Sequence, residues 1–132
     1  MEYVKIGGRT WNVRILEITE DFNILDTENA GRVIAKGAMT LDRIGTFYSH
    51  KVTFAKSSFD NPKEFDDLWM YLSVPRNTGI LVELVHNQSA LKYYAYTATG
   101  SRKLGWIDKR NEVVNWENFS CTFTPMEAQV TP

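Results

Sequence analysis

Two histidines, one cysteine and scattered carboxylates are the side chains of this 132-residue chain whose types suit acid–base, nucleophilic or metal chemistry. His50 and His86 each fall in, or at the end of, a run of alternating residues. Neither has a second histidine or a cysteine at metal-ligand spacing, so both read as hydrogen-bonded structural residues. Cys121 sits between Phe119 and Phe123 on an apolar alternation and reads as a small core residue, not a nucleophile. Asp66 and Asp67 are adjacent on a predicted helix and point apart, so they make no carboxylate pair. Glu17, Glu20, Asp21, Asp26 and Glu28 have the charge for calcium but lack the ligand rhythm and central glycine of an EF-hand loop, and read as a solvated acidic face. Gly7-Gly8 leads into a strand, not a helix, and offers no phosphate cradle. Asn87-Gln88-Ser89 and Asn118-Phe119-Ser120 fit the glycosylation pattern, which carries no weight without a secretory signal. The expectation is no catalytic residue, no metal, no cofactor and no enzymatic activity.

A binding face is the second kind of chemistry the residues suggest. Tyr93, Tyr94 and Tyr96, followed by Arg102, Lys103 and Trp106, interleave aromatic and basic side chains. On an OB-like barrel such a face stacks single-stranded nucleic acid, and on a sandwich it stacks sugar rings. The competing reading makes the same aromatics the filling of a half-buried sheet. Charge favours the second: 15 Lys and Arg against 16 Asp and Glu give a net charge of −1, without the basic excess of a duplex-DNA coat.

The elements that must position these residues follow from periodicity. Hydrophobic residues make up 43%, enough for a folded core in one domain spanning 1–132. Trp11, Val13 and Ile15 alternate with polar neighbours, and Tyr48, His50, Val52 and Phe54 share one face of the run from Gly45 to Lys56. Gly79–His86, Leu91–Thr99 and Asn118–Thr124 are further strands; the last sets Phe119, Cys121 and Phe123 against Ser120, Thr122 and Thr124. His86–Ser89 and Asp108–Asn111 read as hairpin turns, so the sheet is antiparallel. One helix is predicted at about 62–73. Asn61-Pro62-Lys63-Glu64 forms its start and Phe65, Leu68, Trp69 and Leu72 its core stripe, with Pro75 ending it. The fold class is therefore mostly β, an antiparallel sandwich or barrel flanked by one α-helix. The stretch Asp21–Gly45, with a short strand predicted at Arg32–Lys36, is an apolar excursion whose role lies outside its own core; it forms a loop or arm around 19–45. No apolar run is long enough to span a bilayer, and Met1–Gly8 lacks a signal-peptide stretch, so the expected compartment is a reducing cytoplasm.

Three stretches carry a resemblance. Ile15–Phe22 running into Leu25–Arg32, then Ile44–Phe54 ahead of the helix opened by Asn61–Asp66, and the closing segment Trp116–Pro125 resemble the small tail-tube and distal-tail (baseplate hub) proteins of phage and prophage tail modules. The resemblance implies a β-sandwich subunit with one helix, assembled into six-fold rings with other tail or baseplate proteins. Sheet edges of neighbours would join around a lumen through which DNA passes, and a long loop near the N-terminus would contact the next ring. The implied location is the virion tail, and host cytoplasm during assembly. Phe22, Ile24, Leu25 and Arg43 are the candidate inter-subunit contacts. Tyr93, Tyr94, Tyr96 and Trp106 are the candidate ligand face of the alternative, a non-catalytic carbohydrate- or single-strand-binding module.

Overall fold

The computed structural model describes residues 4–26, 31–33, 38–40, 43–56 and 63–131. It is mostly β, with one short helix and an antiparallel sheet curled into a half-barrel. Among the described residues nine strands are formed: β1 (Val4–Ile6), β2 (Val13–Asp26), β3 (Gly31–Val33), β4 (Ala38–Thr40), β5 (Arg43–Lys56), β6 (Ile80–His86), β7 (Ser89–Tyr96), β8 (Gly100–Asp108) and β9 (Val113–Pro125). Helix α1 (Lys63–Ser73) lies between β5 and β6. The main sheet runs β1-β6-β7-β9-β5-β2, with β8 also on β9, while β3 and β4 pair separately.

Strand β9 is the hinge of the curl. Phe119–Phe123 pair with β5, Val113–Cys121 pair with β8, and Thr124 and Pro125 change partner to Tyr96 and Ala95 of β7. Its alternation buries Phe119, Cys121 and Phe123 on the concave side. They meet Val52 and Phe54 of β5, Val82 and Leu84 of β6, and Ile6 of β1 in one apolar cluster. Burial raises the Cys121 thiol to about 11, as an apolar site disfavours the thiolate.

The helix lies on this cluster through the predicted stripe. Phe65, Leu68 and Leu72 are buried, and Trp69 is half-buried with its ring edge-on to Phe119 at 5.2 Å. The Arg102 guanidinium of β8 sits 4.3 Å over the Trp116 ring and pairs with Asp66. This ties the helix to the β8–β9 hairpin. The helix start predicted at Asn61 and Pro62 lies outside the described residues, as does most of the strand predicted at Arg32–Lys36, where only Arg32 and Val33 fall in β3. The predicted hairpin turns form as read. Asn87 adopts φ 54° between β6 and β7, and the Asp108 carboxylate accepts from the backbone N–H groups of Arg110 and Asn111.

Candidate functional site: a projecting ribbon and its buried clasp

Much of the expected excursion is sheet. β2 and β5 pair from Val13↔Lys56 to Asp26↔Arg43, a two-stranded ribbon longer than the core it starts from. A bulge between Ile15 and Glu17 adds one residue, Leu16, and returns Ile18 to the face of Ile15. Directly opposed residues share a face, so one side of the ribbon reads as a sequence of pairs. Ile15↔Phe54 and Ile18↔Val52 come first, then Glu20↔His50, then Phe22↔Tyr48 and Ile24↔Thr46. The first two pairs belong to the core, the third is ionisable, and the last two lie beyond it.

The third pair is a clasp with a buried histidine and a partly exposed carboxylate. His50 is fully buried, with its Nε2 2.8 Å from Glu20 Oε2 and 3.0 Å from the Val85 carbonyl oxygen. Both partners are acceptors, which assigns the hydrogen to Nε2. His50 Nδ1 lies 2.8 Å from the Tyr93 hydroxyl, which is 3.4 Å from the Phe123 carbonyl. The hydroxyl donates to Nδ1 when the ring is neutral. When the ring is cationic, Nδ1 donates and the hydroxyl turns to Phe123. Glu20 Oε2 also accepts from His86 Nδ1 at 2.8 Å, and the His86 ring packs on Tyr48 at 4.7 Å. One carboxylate on β2 thus bridges β5 and the end of β6, fixing the ribbon's root to the far limb of the curl.

Charge follows geometry here. Burial raises the Glu20 carboxyl, but hydrogen bonds and charge from His86 and His50 outweigh it and hold it below the ordinary 4.5. Burial, then the charge of Glu20, pushes the Tyr93 phenol above its ordinary range. With His50 Nε2 bearing a hydrogen, its lone pair is not offered to a metal. Among the described residues no group of three His, Cys, Asp or Glu is placed to hold a metal ion.

Past the clasp the β2 half of the ribbon is exposed and carries apolar side chains. Phe22 is 65% exposed, and Ile24, Leu25 and Ile44 are exposed beside it. Arg43 closes the pairing opposite Asp26. The structure therefore brings the four candidate contacts together at one end of one ribbon. It does not do the same for the candidate ligand face. Tyr93 points inward and is spent on His50, because β7 alternates and only Tyr94 and Tyr96 face out. Trp106 stands on β8 opposite Asn115, and β8 does not pair with β7. Glu20 is exposed like Glu17 and Asp21 of the expected solvated acidic face, but it also accepts from both histidines. Its signal in the sequence is an acid set in the alternating run Ile18, Glu20, Phe22, Ile24, matched by a histidine in Tyr48, His50, Val52, Phe54.

A second feature, which periodicity does not announce, is Met126–Val130. After β9 the chain crosses back to β5, where Thr46 and Val130 form an isolated antiparallel bridge. Compared with protein-family models, curated proteins and solved structures, the chain matches none.

Proposed function

We propose that the chain is a structural subunit of a phage or prophage tail, of the tube, distal-tail or hub-ring kind, that acts by assembling and not by turnover. The observation that supports this most is the apolar end of the β2–β5 ribbon, with Phe22, Ile24, Leu25 and Ile44 exposed together and the ribbon root held by the Glu20 clasp. A rigidly rooted, exposed apolar end has the character of an intersubunit contact. Two open edges add to it: among the described residues β2 pairs only with β5, and β8 only with β9. Unpaired edges are a liability in a free subunit and a joint in an assembly. Pairing the β2 edge of one copy with the β8 edge of the next is a head-to-tail contact, which closes into a ring when the rotation permits.

Light scattering at rising concentration, followed by negative-stain imaging, tests the reading. Rings or tubes that disappear in the double variant Phe22→Ser, Ile24→Ser are expected. Assemblies indifferent to that variant would overturn the ribbon's role. A chain that stays single at millimolar concentration while capturing an oligosaccharide or a single-stranded oligonucleotide would overturn the tail reading itself.

A further inference from the structure

β9 leaves the edge of β5 after His50↔Phe123. The next two outward groups on that edge, those of Tyr48 and Thr46, would be left without partners. The segment Met126–Val130 supplies them. Gln129 N–H donates to the Thr46 carbonyl at 3.0 Å, and Thr46 N–H donates to the Val130 carbonyl at 2.8 Å. Between these and β9, the Gln129 side chain stands in for a peptide group. Its Oε1 accepts from Tyr48 N–H at 3.0 Å and its Nε2 donates to the Tyr48 carbonyl at 3.1 Å. Gly45 makes the close approach possible, since a Cβ there would come within 2.5 Å of the Val130 carbonyl oxygen and 2.6 Å of the Ala128 Cβ.

The segment is held by this edge and by little else. None of residues 126–131 is buried. A groove of about 740 Å³ runs between Met126–Gln129 and the Lys92–Tyr94 stretch of β7. Upstream, Met126 N–H donates to the Tyr94 carbonyl at 3.0 Å, which fixes the point from which the segment departs. A segment held by edge hydrogen bonds without buried apolar side chains belongs to the low-stability part of a fold and opens locally.

We propose that Met126–Val130 is an exchangeable strap, whose second seat is the same Gly45–Tyr48 edge on a neighbouring copy of this chain. The contacts of Gln129 and Val130 with Thr46 and Tyr48 re-form between copies while Met126 stays on Tyr94, so exchange conserves the hydrogen bonds and changes only connectivity. Within one chain the strap sees its own seat at an effective concentration on the order of millimolar, so exchange is populated when copies are held at comparable density. Residues 126–128 fully extended reach roughly 10 Å, which requires neighbours in direct contact. The strap is independent of the ring reading, because exchange between two copies gives a closed dimer equally well.

Variants with added cysteines test the strap. Thr46→Cys and Val130→Cys, made in the full chain, are oxidised alone and as a mixture at about 1 mM, and the double variant is oxidised at high dilution. Buried Cys121, its thiol raised to about 11, stays silent. The expected result is an internal disulfide in the dilute double variant. In the mixture, the mixed dimer should exceed both like-with-like dimers by at least about tenfold over the twofold statistical ratio, and Gly45→Ala should abolish the excess. A statistical mixture, or no cross-link at 1 mM, overturns exchange, and absence of the internal disulfide overturns the seat itself. A mixed dimer that images as a closed pair supports exchange and counts against the ring.

Discussion

At the residue scale the decisive group is Glu20, because one carboxylate serves two imidazoles on different strands. Its depressed carboxyl contributes stability that is complete above the unfolded value of 4.5 and is lost as pH falls through the lower folded value. Urea midpoints of the wild type and Glu20→Gln are therefore expected to differ at about pH 6 and to converge as pH falls below 4.5 through the lower folded value. Midpoints that stay equally far apart down to that pH would mean the carboxylate's charge contributes nothing. His50→Leu removes a buried donor from Glu20 and Val85 and leaves the Tyr93 hydroxyl only the more distant Phe123 carbonyl, and should cost about 2–3 kcal/mol in the same measurement. The clasp is partly legible in the sequence. An acid and a histidine each interrupt an apolar alternation, and such interruptions are costly unless they meet. That Glu20 opposes His50 and not His86 alone depends on the Leu16 bulge, which no propensity foretells.

At the element scale the helix and the ribbon obey different physics. Helix α1 is bound by burial: Phe65 and Leu68 pack against the cluster around Phe119 and Phe54. Replacing either with Ala is expected to lower stability by about 3–5 kcal/mol, and Trp69→Ala, half-exposed on the flank, by less than either. Chemical denaturation ranks the three, and a larger loss at Trp69 would mean that the helix docks on a different face. The distal ribbon is bound by hydrogen bonds and leaves its apolar side chains in water. Phe22→Ser is expected to change the stability of the single chain by less than about 0.5 kcal/mol while weakening self-association. The helix is readable because a 3.6-residue stripe has one solution. The ribbon is readable only as an excursion, since its polar and apolar residues alternate about a face that leaves the core midway.

At the scale of the whole molecule, the curled sheet offers a neighbour the β2 edge, the β8 edge and the strap seat on β5, besides the short β1 edge. Ring formation and strap exchange use different ones, so they separate experimentally. Gly45→Ala is expected to release the strap and raise hydrogen exchange at the Thr46 and Tyr48 amides, leaving the amides of Val52 and Phe54 in the core protected. Equal exchange at all four amides would mean that the strap is not a separate unit of stability.

The sequence by itself determined the antiparallel β class, the single helix and its buried stripe, the two hairpin turns and the inward faces of β5 and β9. These are local periodicities, and each is enforced by the burial of one face. Tertiary structure alone decided that Tyr93 turns inward while Tyr94 faces out, that Trp106 stands apart from both, that Glu20 joins His50 to His86, and that Gln129 completes the edge of β5. Those outcomes depend on the register of strands distant in sequence, on one bulge, and on the point where β9 changes partner. Register is a long-range property: a shift of one residue reverses every face, and only the folded sheet fixes it.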